Sequence, residues 1–194
     1  MKIEYVSGST QIDSDEAAGL RLTHITTLNE LNIFEQQNIQ QAIVWAFGSR
    51  KKNILSESFI RQLHQRMFGD VWRWAGEYRT SNKNIGVMRE VIGIELRHLC
   101  DDTDYWIEHG TFPPDEIAAR FHYRIVAIHP FANGNGRHGR LITDLLLEKK
   151  LNRPRFSWGG ASLDVVSDFR STYIKALQAA NLGDYLPLMA FVRS

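Results

Sequence analysis

Two runs of helical spacing, split by a proline and a glycine-rich turn, constrain this chain more than any other feature. Pro113-Pro114-Asp115-Glu116 opens the first run, with proline and acids at the helix end that favours them. Ile117, Phe121, Ile125 and Ile128 then share one face. The run must end at His129, because Pro130 disfavours the α conformation at the residue before it. Asn133-Gly134-Asn135-Gly136 has the composition of a tight turn. Beyond it a second helix is predicted from Arg137 to about Lys150.

Helical spacing recurs along the chain. A helix is predicted from Leu28, with Leu31, Ala42, Ile43 and Ala46 in period and Thr27 and Glu30 as a capping box. Another spans Ser56 to Phe68, capped by Ser56, with Phe59, Ile60, Leu63 and Met67 inward. Arg89 to His109 continues the pattern, as do Asp164 to about Asn181 and, after a turn at Gly183-Asp184, Tyr185 to Val192. Between Glu77 and Val87 a short β-hairpin is expected, turning at Ser81-Asn82-Lys83-Asn84. Residues 1 to 25 read as an arm docked on the domain, and the whole as mostly α with one small hairpin flap.

A length of 194 residues suits one domain, and 43% hydrophobic residues suffice for a core. The net charge of +1 argues against a general nucleic-acid or membrane-surface binder, so any anion site is local. A lone cysteine, Cys100, excludes an internal disulfide. No apolar run spans a bilayer and the N-terminus lacks a signal-peptide pattern, so a cytoplasmic protein is expected.

The stretch from 129 to 140 concentrates the chemistry. His129 can serve as a base near neutral pH. Backbone N–H groups of Gly134, Asn135 and Gly136 can cradle phosphate oxygens. Arg137 and Arg140 share a helix face and oppose the dipole at a helix start, a conflict that an anion would offset. The bland alternatives are a helix-capping histidine and a plain Asn-Gly turn. No Walker-type lysine is present, and His122 and His129 have no third ligand at zinc spacing. The combination points to transfer of a nucleotide or phosphoryl group to a hydroxyl.

The stretch resembles the signature of the Fic (Fic/Doc) family, His-Pro-Phe-x-Asp/Glu-Gly-Asn-Gly-Arg-x-x-Arg, at eight of its nine defined positions. Val71 to Arg79 is similar to the family's approach to its flap, and Tyr173 to Pro187 to its closing helices. The likeness covers about residues 55 to 193 and implies a Fic-type helical bundle at 55–194, with residues 1–54 as an arm and helix packed on it. Among subgroups the chain looks most like the short bacterial proteins called mobile mystery protein B.

The resemblance implies a protein adenylyltransferase that moves AMP from ATP to a target hydroxyl. His129 would be the general base and Phe131 the loop's anchor in the core. Gly134, Asn135 and Gly136 would hold the α- and β-phosphates, Arg137 and Arg140 the β- and γ-phosphates. Tyr173 and Asn181 would lie at the adenosine end. A target protein would dock on the flap at 77–87 as an added strand. Asn133 stands where the family carries the acid that binds Mg²⁺, and a neutral amide oxygen is a poorer ligand. That departure leaves two alternatives open: transfer of another phosphate-containing group, and a nucleotide-binding regulatory module without turnover. The family's inhibitory pattern Ser/Thr-x-x-x-Glu-Gly/Asn is met by Thr26 to Glu30, but Leu31 departs from it, and Glu30 also fits the capping box. The subgroup implies a toxin–antitoxin-like pairing with a helix-turn-helix partner, mobile mystery protein A.

Overall fold

The structure is a computed structural model that describes residues 14–22, 24–25, 27–48, 53–160 and 168–194. Among the described residues the helices are α1 (Ser14–Ala17), α2 (Leu28–Gly48), α3 (Glu57–Phe68), α4 (Ile92–His109), α5 (Pro114–Ile128), α6 (Asn135–Lys149), α7 (Asp168–Asn181) and α8 (Leu186–Arg193). Local chemistry sets the ends. Ser56 caps α3 by accepting from the Phe59 N–H at 3.2 Å. Thr27 and Glu30 form the reciprocal capping box at the start of α2, each accepting from the other's backbone N–H. Gly110 closes α4 at φ 58°, where glycine carries no Cβ penalty.

Among the described residues two apolar clusters hold the bundle. The larger joins α2 to α6 through Ile60, Leu63, Leu96, Phe121, Phe131 and Ile142. The smaller packs α7 and α8 onto α5 and α6 through Ala119, Leu147, Tyr173 and Leu188. Each such large side chain, fully buried, contributes roughly 1.5–3 kcal/mol. Helices α5 and α6 sit at the centre of both clusters, so the loop between them is anchored from two sides.

The arm docks where it is described. Leu20 makes an antiparallel bridge with Trp72, Arg21 N–H donates to Val71 O at 2.8 Å, and Arg73 N–H donates to Gly19 O at 2.9 Å. Its first thirteen residues lie outside the described residues, as does the predicted start of α7 at Asp164.

Two expectations change. No strand forms within 77–87, so the predicted hairpin is an irregular loop. Its backbone bonds outward instead: Arg79 N–H reaches Pro130 O at 2.9 Å and Val87 N–H reaches Ile128 O at 3.3 Å. The second helix of the motif begins at Asn135 rather than Arg137, because Gly134 takes the left-handed cap at φ 76°.

Four histidines, His64, His122, His129 and His138, are buried. Burial holds His64 well below the usual imidazole range and lowers His122 to about 3, His129 to about 4 and His138 to about 4. Asp144 moves the other way, raised by burial to about 6. Below pH 6.5 the unfolded chain takes up protons on those histidines that the folded chain refuses, so stability falls with falling pH. Asp144 opposes this between its unfolded and folded values. Four histidines against one carboxyl leave about three protons taken up on unfolding near pH 5. The melting temperature is therefore expected to drop between pH 7 and pH 5; a constant or rising value would contradict the buried neutral imidazoles.

Candidate active site

The loop from 129 to 134 is built by four side chains. His129 ends α5 in the left-handed region at φ 53°, a conformation that costs a non-glycine residue about 1–3 kcal/mol. Phe131 is fully buried and stacks on His64 at 3.7 Å. Asn135 closes the turn on itself: its amide accepts from Phe131 N–H at 2.9 Å and donates to Phe131 O at 2.8 Å. His64 spans three segments. Its Nδ1 accepts from Gly76 N–H at 3.0 Å, which leaves Nε2 to donate to Asn133 O at 3.0 Å. That neutral tautomer agrees with its lowered pKa. Nothing in the sequence distinguished His64 from other helix-face histidines, because its partners lie 12 and 69 residues away.

The anion cradle takes shape at the start of α6. Gly134, expected in the cradle, caps the helix and gives its own N–H to the Asn133 side chain, so the cradle falls to the N–H groups of Asn135, Gly136 and Arg137, which have no intrahelical partner. Gly134 also admits no side chain: a Cβ there would lie 2.6 Å from the Phe68 ring. Arg137 and Arg140 project from the first turns and line a crevice of about 210 Å³ with Gln36, Asp144 and Trp158.

The anion that offsets Arg137 comes from the chain itself. Glu35 of α2, buried, accepts from Arg137 Nη1 at 2.6 Å and from the Trp72 indole N–H at 2.6 Å. Glu30, the glutamate singled out from the sequence, is exposed and engaged in the capping box. Glu35 sits 102 residues from its arginine and inside a polar run, so no local pattern marked it.

His129 is neutral at physiological pH. Burial comes first among the causes of its lowered pKa, then the positive charges of Arg79 and Lys83. A neutral imidazole is the form that can take a proton. Tyr173 and Asn181 serve other bonds. The Tyr173 hydroxyl, buried, meets His122 Nε2 at 2.8 Å, and Asn181 accepts from the Tyr123 hydroxyl at 2.5 Å.

The loop does not fit a protein-held Mg²⁺. The Asn133 side-chain oxygen accepts from Gly134 N–H at 2.5 Å, and residues 130–136 include no carboxylate. Mg²⁺ is usually tied to a protein through one or two carboxylates, which this loop lacks. Among the described residues no group of three His, Cys, Asp or Glu side chains converges as a metal site.

These parts make a helical bundle whose central loop joins a neutral histidine to an amide cradle and two arginines. Residues 54–147 match the Fic/DOC family, and the chain carries a domain of that family. It is 30% identical over 148 residues to the protein adenylyltransferase fic-1 of Caenorhabditis briggsae, covering 74% of this chain and 28% of that one. The fold superposes on the solved structure of Fic-1 (residues 134–508) from C. elegans with a TM-score of 0.67 at 27% identity, covering 91% of this chain and 51% of the other. It also shares the fold of the BepC protein of Bartonella tribocorum, solved with bound AMPPNP, at a TM-score of 0.66 and 17% identity, covering 93% and 97% of the two chains. The chain thus spans little more than a quarter of the curated relative's length.

Proposed function

We propose that this protein is an adenylyltransferase that moves AMP from ATP to a hydroxyl side chain of a target protein. The observation that carries the reading is the juxtaposition of a neutral, buried His129 with the open amides and arginines of α6. Adenylyltransferase relatives support it. The target hydroxyl oxygen bonds to the α-phosphorus as the bond to the β-phosphate's bridging oxygen breaks. His129 takes the hydroxyl proton, and pyrophosphate leaves with the electron pair. The amides of Asn135, Gly136 and Arg137 hold phosphate oxygens, and the two guanidinium groups neutralise the departing charge. Incubation with target-containing bacterial lysate and ATP labelled at the α or the γ position tests the reading. Transfer of α-label alone supports it; γ-label on protein means phosphoryl transfer, and no label from either the wild type or Glu35→Gln, with retained ATP binding, means a binding module.

In this reading Glu35 restrains the site, because it and a nucleotide phosphate compete for Arg137. Glu35→Gln keeps an acceptor for Trp72 but removes the competing charge. Since a charge-assisted hydrogen bond contributes about 1.5–3 kcal/mol, ATP affinity should rise by about tenfold or more. Calorimetry measures this, and unchanged or weaker binding would leave Glu35 a strut. Glu30→Gly should leave affinity unchanged.

The loop at 77–87 is the proposed docking place of the target, with Ile85 exposed on it and Met88 exposed just beyond it. The likeness of the whole chain, with its N-terminal arm, supports placement with the bacterial mobile mystery protein B group, as the cytoplasmic member of a toxin–antitoxin-like pair with a helix-turn-helix partner. Among the described residues no helix is long and apolar enough to cross a membrane.

A further inference from the structure

The flap loop is fastened to the catalytic histidine by one side chain. Arg79 is only 3% exposed, yet all three guanidinium nitrogens donate. Nε reaches the His129 carbonyl at 2.7 Å, Nη1 the Ser81 carbonyl at 2.8 Å, and Nη2 the Val87 carbonyl. Its own backbone N–H holds Pro130 O at 2.9 Å. The loop therefore starts and ends on the segment 128–130, with the guanidinium filling its centre. Gly86 makes the fit possible: at φ 100°, a Cβ there would stand 2.7 Å from His129 Cβ and 2.9 Å from Arg79 Nη2.

We propose that Arg79 is a positioning residue that couples the docking loop to the general base, so that seating of the target sets the backbone of His129. This rests on the readings of His129 as base and of 77–87 as the docking loop. A guanidinium suits the task because its rigid fork can bind several carbonyls at once, which an ammonium cannot do in the same geometry. A His129 backbone held left-handed is the natural recipient, since loss of the bond to its carbonyl frees it to relax. Other charges bear on the pair. Lys83 on the loop faces His129 and is bonded to Glu16 of α1 at 2.6 Å; Glu90 acts on Arg79; Arg137 and Arg140 lie on α6 beyond the loop.

Two substitutions separate geometry from charge. Arg79→Lys keeps the charge and loses the fork; kcat should fall by up to about 100-fold, the scale for displacing a reacting group. KM for ATP should stay within about twofold, because the phosphate cradle is untouched. Arg79→Gln removes the charge as well, and its acid limb should also move to higher pH. NMR titration of His129, assigned by its loss in His129→Ala, reads the same coupling without turnover: the midpoint rises in Arg79→Gln and holds in Arg79→Lys. Should either variant fail to fold, Gly86→Ala strains the link from the loop side with Arg79 intact, and kcat should fall with the midpoint unchanged. Folded variants with wild-type kcat and an unmoved His129 midpoint would overturn the proposal. A fall confined to ATP affinity would do so too. A wild-type protein that transfers no label would defeat the parent reading alone, because the titration still decides the link between Arg79 and His129.

Discussion

His129→Ala is expected to abolish label transfer from ATP while leaving the nucleotide bound. General-base catalysis contributes typically about 10²–10⁴-fold, and no other neutral imidazole stands in the loop to replace it. His64 and His138 are buried and bonded to Asn133 O and Ile60 O. Nucleotide binding should survive, because it draws on the amides and guanidinium groups of α6 rather than on the imidazole. The wild-type rate carries a matching signature. With its pKa lowered to about 4, His129 stays neutral as pH falls from 8 to 5, so its protonation should not reduce the rate over that range. A variant that retains label transfer within tenfold would remove His129 from the reaction. A wild-type rate halving near the ordinary imidazole value would contradict the buried environment described for it.

Phe131→Ala should produce the largest loss of stability of any single change in the motif. The ring is fully buried, stacks on His64 at 3.7 Å and meets His138 edge-on at 5.2 Å. Truncating a buried phenylalanine costs about 3–5 kcal/mol through lost transfer energy and the cavity left behind. The effect should reach the loop as well, because Asn135 closes the turn on the backbone N–H and carbonyl of this same residue. Denaturant unfolding with an unchanged slope measures the loss. A cost under about 1 kcal/mol would mean that the core collapses around the gap.

Much of this site was legible because its determinants are local. Proline at 130 ends α5 at His129, and glycines at 134 and 136 permit the turn and the open helix start. The capping box of Thr27 and Glu30 also reads directly from spacing and forms as such. What sequence reasoning missed depends on long-range approach. Glu35 meets Arg137, and His64 meets Asn133, only after α2 and α3 pack on α6. The hairpin expected at 77–87 failed for a related reason. Its residues alternate adequately for a strand, but the carbonyls of 128–130 and the guanidinium of Arg79 satisfy its backbone first. A window-based reading sees the turn residues and has no access to that competition.

Glu16 buttresses the docking loop from far upstream. It is buried, bonds Lys83 at 2.6 Å, and its carbonyl accepts from the Trp74 indole at 2.9 Å. Together with Glu35, it lies before the stretch of 54–147 by which the family is recognised. Modularity in this protein is therefore drawn along a different line from recognisability. A graft or gene fusion that carries 54–147 alone would transplant the phosphate loop stripped of both carboxylates, with the indole of Trp72 laid open where α2 had covered it. The portable part is the longer piece that includes α1 and α2, and exchange of that leading segment between relatives would change how the site is held while its signature stayed the same.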